Sequence, residues 1–150
     1  MTIVDAEGDI DFSQFVGLLR ALWPPEFGQA SDHDLLADME RSYDPSVDAV
    51  KLLRNGDHII GFGRYSLWPR NEQHPTMAHI MDLVVRKDYQ HHGFGRKLME
   101  TMIQECKQRN LHPIFSRTLC TNNPIVGLHR VLGFQEFRRA NDWILWRLET

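Results

Sequence analysis

Apolar residues recur along this chain with two periods, and the switches between them mark out its elements. Residues 2–6 (TIVDA) read as a short strand. From Asp11 onward Phe12, Phe15, Val16, Leu19 and Leu22 keep the spacing of one helix face, and Pro24-Pro25 ends the run. Ser31 is placed to cap a second helix carrying Leu35, Leu36 and Met39. Residues 47–54 and 58–68 read as strands around Asn55-Gly56, a pair suited to a two-residue hairpin turn. A polar loop, WPRNEQHP (68–75), separates them from a further strand, AHIMDLVV at 78–85.

The second half continues in the same way. Phe94, Leu98, Met102 and Cys106 fall four apart with Met99 and Ile103 beside them, which gives a helix one apolar face. Lys107 and Arg109 suit its last turn, where the dipole favours cations, and Asn110 suits its C-terminal cap. A strand near 113–119 precedes a helix from Pro124 to Leu132, closed by Gly133. FQEFRR and DWILWRLE read as two final strands. Alternating strands and helices, with a meander at both ends, predict a mixed α/β domain built on a single sheet.

Composition narrows the class without naming it. At 150 residues the chain is most simply one domain, 1–150, able to bury a hydrophobic core. Hydrophobic residues at 42% and charged residues at 25% are ordinary for a soluble globular protein. A net charge of -3 gives no global attraction to nucleic acid or to an anionic membrane. No apolar run approaches the ~20 residues of a membrane span. The acidic N-terminus lacks the form of a signal peptide. Cys106 and Cys120 show neither metal spacing nor a disulfide framework, so a reducing cytoplasm is the expected compartment.

One stretch stands apart, YQHHGFGRKL at 89–98. It opens a helix, and the first amides of a helix have no intrahelical acceptors and lie at the positive end of its dipole. Such a place binds phosphate or pyrophosphate. Gly93 and Gly95 are expected to adopt positive φ and to remove the Cβ atoms that would hold oxygens away from the amides. Arg86, Lys87, Arg96 and Lys97 add positive charge. The alternative is a glycine-rich turn with solvated basic residues. The stretch is not a P-loop, since no Gly-Lys-Ser/Thr is present, and not a dinucleotide fingerprint, since Leu98 stands at the third glycine.

The arrangement resembles the GNAT superfamily of N-acetyltransferases. Gln90, His91, His92, Gly93, Phe94 and Gly95 follow its acetyl-CoA signature, after the apolar strand end MDLVV (81–85). A second motif, NNPIVGLHRVLGF, places Asn122, Leu128, Gly133 and Phe134 in register about thirty residues on. The resemblance covers residues 78 to 134 and implies a mostly antiparallel central sheet flanked by helices. It implies that the backbone along Leu83, Val84 and Val85 pairs with the pantetheine arm of acetyl-CoA. Amides from Gln90 through Arg96 would cradle the pyrophosphate, and Asn122 would contact the cofactor arm. It further implies direct attack by a small-molecule amine of aminoglycoside, polyamine, amino sugar or amino acid type, without an acyl-enzyme. A homodimer is compatible with the family. Two other readings stay open: an acyl-CoA-binding regulatory module with little catalysis, and acetylation of a protein lysine or N-terminus.

The chain also departs from the family pattern. Where the family often carries a Tyr as acid for the departing thiolate, this chain has His129. An imidazole can donate a proton, or stay neutral and hydrogen-bond only. Where the family often has a glutamate on the strand before the loop, only Asp82 is available, as base, as substrate-orienting group or as a brace. His91 with His92, and His74 with His79, lack the partners of a metal set, so no metal site is expected. Cys120 reads as an inert cysteine. Trp23 and Trp68 are candidates for an acceptor pocket, as well as for core. Glu26, Asp32, Asp34 and Glu72 hint at a cationic acceptor or are solvated surface carboxylates.

Overall fold

The computed structural model of the protein describes residues 1–6, 11–22, 31–69 and 74–149, leaving aside the side chains of residues 14, 19, 21 and 22. Trp23, Pro24-Pro25, Glu26 and Glu72 lie outside the described residues. The elements run β1 (Thr2–Ala6), a 3-10 turn (Phe12–Phe15), α1 (Val16–Leu22), α2 (Asp32–Ser42), β2 (Asp48–Asn55), β3 (His58–Trp68) and β4 (Met77–Val85). A second 3-10 turn (Lys87–Tyr89), α3 (Phe94–Gln108), β5 (Ile114–Leu119), α4 (Asn123–Val131), β6 (Gln135–Ala140) and β7 (Trp143–Leu148) follow. The strands take the order β1-β2-β3-β4-β5-β7-β6 in one seven-stranded sheet. The β1–β2, β5–β7 and β6–β7 pairs are antiparallel. The β4–β5 pair is parallel, and parallel neighbours need a long crossover, which here contains α3. This is the mixed, largely antiparallel sheet with flanking helices that the sequence leads one to expect.

Packing divides the chain into two compact units, Met1–Arg64 with Asp82–Met99, and Tyr65–Met81 with Glu100–Thr150. In the first unit, β2 ends at Asn55 and β3 begins at His58, so the two-residue turn is Gly56-Asp57, one residue on from the expected Asn55-Gly56, and Gly56 has φ 61°. Helix α2 starts at a capping box: Ser31 Oγ accepts from the Asp34 amide at 3.1 Å, and the Asp34 carboxylate accepts from the Ser31 amide. Phe12, Phe15, Leu18, Leu35 and Met39 bury one face of the helices against Phe62 and Val84. A second cluster joins Leu53, Ile60, Val85 and Leu98, with Leu83, Tyr89 and Phe94 packed against it.

These clusters expose a feature that the sequence pattern hides. Ile59 and Phe62 belong with the first cluster and Ile60 with the second. Ile60 and Phe62 are two apart yet on opposite sides, so the strand alternation slips by one residue at Gly61. A Cβ there would lie 2.7 Å from the Val84 carbonyl oxygen, a separation that real Cβ atoms essentially never show. Gly61 thus permits the close backbone approach that accompanies the slip.

In the second unit, Ile114, Ser116 and Thr118 of β5 and Ile144, Trp146 and Leu148 of β7 are all buried. The intervening Phe115, Leu119, Trp143, Leu145 and Arg147 are only partly buried, and Arg117 is exposed. That alternation is the period-two signature of a sheet with one covered face. Tyr65 is buried and donates its hydroxyl to Glu105, and Arg109 donates to that same oxygen at 3.0 Å. Asn110 (φ 58°) and Gly133 (φ 94°) close α3 and α4 in left-handed conformations, as their positions in the sequence predict.

Candidate active site

Within the first unit, the end of β4 leads directly into the glycine-rich loop. Val84 faces the cluster of α1 and α2, whereas Leu83 and Val85 face the cluster that includes Leu98 of α3. The chain then leaves the strand under tight control. The Arg86 amide donates to the Ile60 carbonyl at 2.7 Å. Tyr89 packs into the second cluster, and its hydroxyl accepts from Asn55 Nδ2 at 3.2 Å. Gln90 Nε2 donates to the Val85 carbonyl at 2.8 Å, so the first residue of the glycine motif ties the loop back to the strand.

Backbone conformation now sets the mouth of α3. His91 has φ 65° and Gly93 has φ 83°. The Lys97 amide donates to the Gly93 carbonyl at 3.0 Å, so the amides of Gly93 through Arg96 precede the helix's own bonding pattern. The expected positive φ at Gly95 is not found. Helix α3 already begins at Phe94, which requires ordinary helical geometry at Gly95, and the second left-handed residue is His91. A Cβ at Gly93 would enter open space, and one at Gly95 would touch Val85 Cγ2 at 3.9 Å. His91, His92, Gly93 and Arg96 are exposed, and Phe94 is half-buried with its ring 6.1 Å from that of His92. The mouth of a fifteen-residue helix is therefore open and unobstructed by side chains at Gly93.

Asp82 is not a free carboxylate. Arg64 Nε donates to its Oδ2 at 2.6 Å. Arg64 Nη1 also donates to Ser42 Oγ at 3.2 Å and lies 3.8 Å from Asp48 Oδ2, which itself accepts from the Asp44 amide at 2.8 Å. Burial raises the Asp82 carboxyl above the usual carboxylate range, Arg64 opposes that rise, and Asp48 adds to it. Its side chain keeps 15% exposure, against 6% for Arg64 and none for Asp48. Arg64 is a residue the sequence reading missed. An arginine inside a strand signals burial only if its partners are known, and these come from three other elements.

In the second unit, Asn122 is the N-cap of α4, its side-chain oxygen accepting from the Ile125 amide at 3.5 Å. His129 is buried on the same helix at 2% exposure. Its Nδ1 lies 2.7 Å from the Ile125 carbonyl and its Nε2 lies 2.7 Å from Ser116 Oγ. The ring stacks on Trp146 at 5.3 Å and meets Phe134 edge-on at 4.9 Å. A carbonyl only accepts, so Nδ1 carries the proton. Burial lowers the imidazole pKa, which leaves the ring neutral and Nε2 an acceptor for the Ser116 hydroxyl. Ser116, 4% exposed, is a second residue that sequence reasoning missed.

The remaining candidates have local partners. Asp32 accepts from Arg20 Nε at 2.7 Å, and Asp34 completes the α2 capping box. Trp68 is 37% exposed, with its ring 6.3 Å from His79. Cys106 is buried and Cys120 half-buried, and neither is in a disulfide. Among the described residues, no group of three or more His, Cys, Asp or Glu is placed to hold a metal ion. No described helix is long and apolar enough to cross a membrane.

Comparison with known proteins bears on the whole arrangement. Residues 13–134 match the Acetyltransferase (GNAT) family. Mycothiol acetyltransferase from Pseudarthrobacter chlorophenolicus is 29% identical over 110 residues, 73% of this chain and 34% of that protein. The L-methionine sulfoximine/L-methionine sulfone acetyltransferase of Pseudomonas aeruginosa is 30% identical over 78 residues, 51% of this chain and 44% of that one. The chain's match thus spans about a third to under a half of these relatives' length. The crystal structure of PH1933 from Pyrococcus horikoshii OT3 superposes with a TM-score of 0.80 at 18% identity, covering 99% of each chain.

Proposed function

The chain belongs to the GNAT family of acetyltransferases, and from that premise we propose that it is an acetyl-CoA-dependent N-acetyltransferase acting on a primary amine of a small molecule. The observation that carries the reading is the run from Val85 to Arg96. A strand end is braced by Gln90, turns through left-handed backbone at His91 and Gly93, and opens into the first amides of α3. A pyrophosphate suits that run, because helix-mouth amides favour anions and the space at Gly93 is open. Leu83, Val84 and Val85 offer strand backbone to the pantetheine arm, and Gln90 through Arg96 surround the diphosphate. A relative named as acting on methionine sulfoximine and methionine sulfone supports a small acceptor.

Acetyl-CoA supplies an acetyl group already activated on sulfur. The residues of this chain supply placement and proton transfer. Holding amine and thioester together contributes about 7–11 kcal/mol to such reactions. An alkylamine with a pKa near ~10.4 arrives protonated, and it gives up its protons before and during attack. Asp82 is the proposed acceptor of the proton lost as the C–N bond forms. His129 is the proposed donor to a departing thiolate; the buried ring rests neutral with Nε2 accepting from Ser116, so it must first take up a proton at Nε2 before it can give one to sulfur.

Thiol release from acetyl-CoA across aminoglycosides, polyamines, amino sugars, amino acids and short peptides tests the reading. Release with one small-amine class is the expected result. Release with peptides alone would assign a protein acceptor instead. Acetyl-CoA binding without release on any amine would leave an acyl-CoA-binding module.

A further inference from the structure

We propose that Arg64 is the positioning residue for Asp82, holding one carboxylate oxygen so that the other faces the acceptor amine as a proton acceptor. The inference rests on the acetyltransferase reading above and deepens it. Arg64 Nε holds Oδ2 at 2.6 Å, while Oδ1 has no hydrogen-bond partner among the described residues. The guanidinium is itself fixed: Nη1 donates to Ser42 Oγ at the end of α2 and lies 3.8 Å from the wholly buried Asp48 carboxylate. Asp48 is fixed in turn by the Asp44 amide. Three elements, α2, β2 and β3, therefore converge on one oxygen of β4, and Asp82 keeps 15% exposure for an incoming group. A planar, always-charged guanidinium suits this task better than an ammonium, because its fork fixes direction as well as charge.

The chemistry balances without a further reactant. The amine nitrogen's lone pair forms the new C–N bond, the C–S bond breaks, and sulfur leaves with that electron pair. The nitrogen becomes acidic as the bond forms, and its proton passes to Asp82 Oδ1. A protonated Asp82 could not take it. The charged groups acting on this carboxyl are Arg64 from β3, which favours ionisation, and Asp48 from β2, which opposes it. Loss of Arg64 therefore raises the pH at which Asp82 ionises, and loss of the Asp48 charge lowers it.

The experiment is the pH dependence of kcat/KM for full-length wild type, Arg64→Gln, Arg64→Lys and Asp48→Asn with the amine identified above, beside a carboxyl NMR titration of Asp82. Arg64→Gln should lower kcat by roughly tenfold or more, less than the ~10²–10⁴-fold that loss of a general base itself costs. Its acidic limb should move to higher pH, while that of Asp48→Asn moves to lower pH. Arg64→Lys should keep the limb near wild type but recover only part of kcat, and it serves where the Gln variant does not fold. A structural role predicts lower melting temperatures and unmoved limbs, and that outcome overturns the proposal. So does an Asp82 titration that neither Arg64→Gln nor Asp48→Asn alters. A wild type that turns over no amine defeats the parent reading and the base role with it. A wild type that turns over, beside variants with unmoved limbs, defeats the Arg64 inference alone.

Discussion

Ser116 Oγ lies 2.7 Å from His129 Nε2, a side-chain bond that ties β5 to α4 in the buried layer of the second unit. Because Nδ1 is committed to the Ile125 carbonyl, the bond has one direction, from hydroxyl to imidazole. The polar ring is satisfied at both nitrogens while its faces meet Trp146 and Phe134. A helix position that the family often gives to a phenol is here part of an aromatic layer.

Burial of a neutral imidazole makes stability depend on pH. The folded pKa of His129 is depressed, so between that value and the unfolded value near ~6.5 the unfolded chain binds the extra proton. Stability from this group is complete above the unfolded pKa and is lost as pH falls through the folded one. Denaturant unfolding from pH 8 to pH 5 should show stability falling on the acidic side. His129→Gln should flatten that fall relative to wild type. An identical pH profile in the variant would assign the acid sensitivity to other groups.

His129 is also the proposed donor to the leaving sulfur. If the ring gives sulfur a proton first taken up at Nε2, His129→Phe should lower kcat by roughly 10²-fold, with acetyl-CoA affinity little changed. His129→Tyr should restore part of the rate by returning a hydroxyl donor to α4. A purely packing role predicts lost stability with kcat preserved in both aromatic variants. Steady-state kinetics paired with melting curves separates the two.

The glycine loop gives a prediction in which two neighbours behave differently. Gly93 holds φ 83°, so Gly93→Val strains the backbone as well as filling open space, and both effects oppose anion binding. Gly95 sits inside α3, where alanine favours the helix by up to about 1 kcal/mol and its Cβ makes an ordinary contact with Val85. Gly95→Ala should therefore keep or raise the melting temperature. Gly93→Val should weaken acetyl-CoA binding at least tenfold, about 1.4 kcal/mol. Calorimetric titration with acetyl-CoA provides the readout, and an unchanged affinity in folded Gly93→Val removes the helix-mouth cradle.

Ligand-induced stabilisation tests the same loop without mutation. A ligand at a hundred times its dissociation constant adds about 2.7 kcal/mol to the folded state. Acetyl-CoA should raise the melting temperature accordingly, and acetate, which lacks the pyrophosphate, should not. An equal shift with NAD would mark a generic phosphate site.

Much of this was legible in the chain because it depends on neighbours in sequence. Ser31, Gly56, Asn110 and Gly133 each set a turn or cap through residues at most three or four positions away. The approach of β4 to the loop, with Gln90 after Val85, is local too. What escaped depends on distant partners. The burial of Arg64 needs Ser42, Asp48 and Asp82, and the neutral state of His129 needs Ser116 and Trp146. Period-two patterning in β3 also concealed a slip, because an unbroken buried run from Ile60 to Leu67 carries no face information.

That slip yields the sharpest test of the fold. Gly61 lets the β3 backbone approach the Val84 carbonyl, and an added Cβ would stand 2.7 Å from that oxygen. The neighbour in the clash is backbone, which cannot rotate away as a flexible side chain would. Relief requires the strands to part, which would disturb Val84 and Val85 and the bond from the Arg86 amide to Ile60. Gly61→Ala should thus destabilise by about 1–3 kcal/mol, the usual range for overpacking, although alanine is otherwise the better strand residue. It should also weaken acetyl-CoA binding, because the displaced strand end is the one that leads into Gln90 and Gly93. The same change at Gly127, whose Cβ would meet nothing within 4 Å, should leave stability unchanged or improved, since that glycine lies within α4. Chemical denaturation of the two variants beside wild type decides it: equal effects at both positions would mean that β3 and β4 can separate freely, and the close approach would have no hold on the loop.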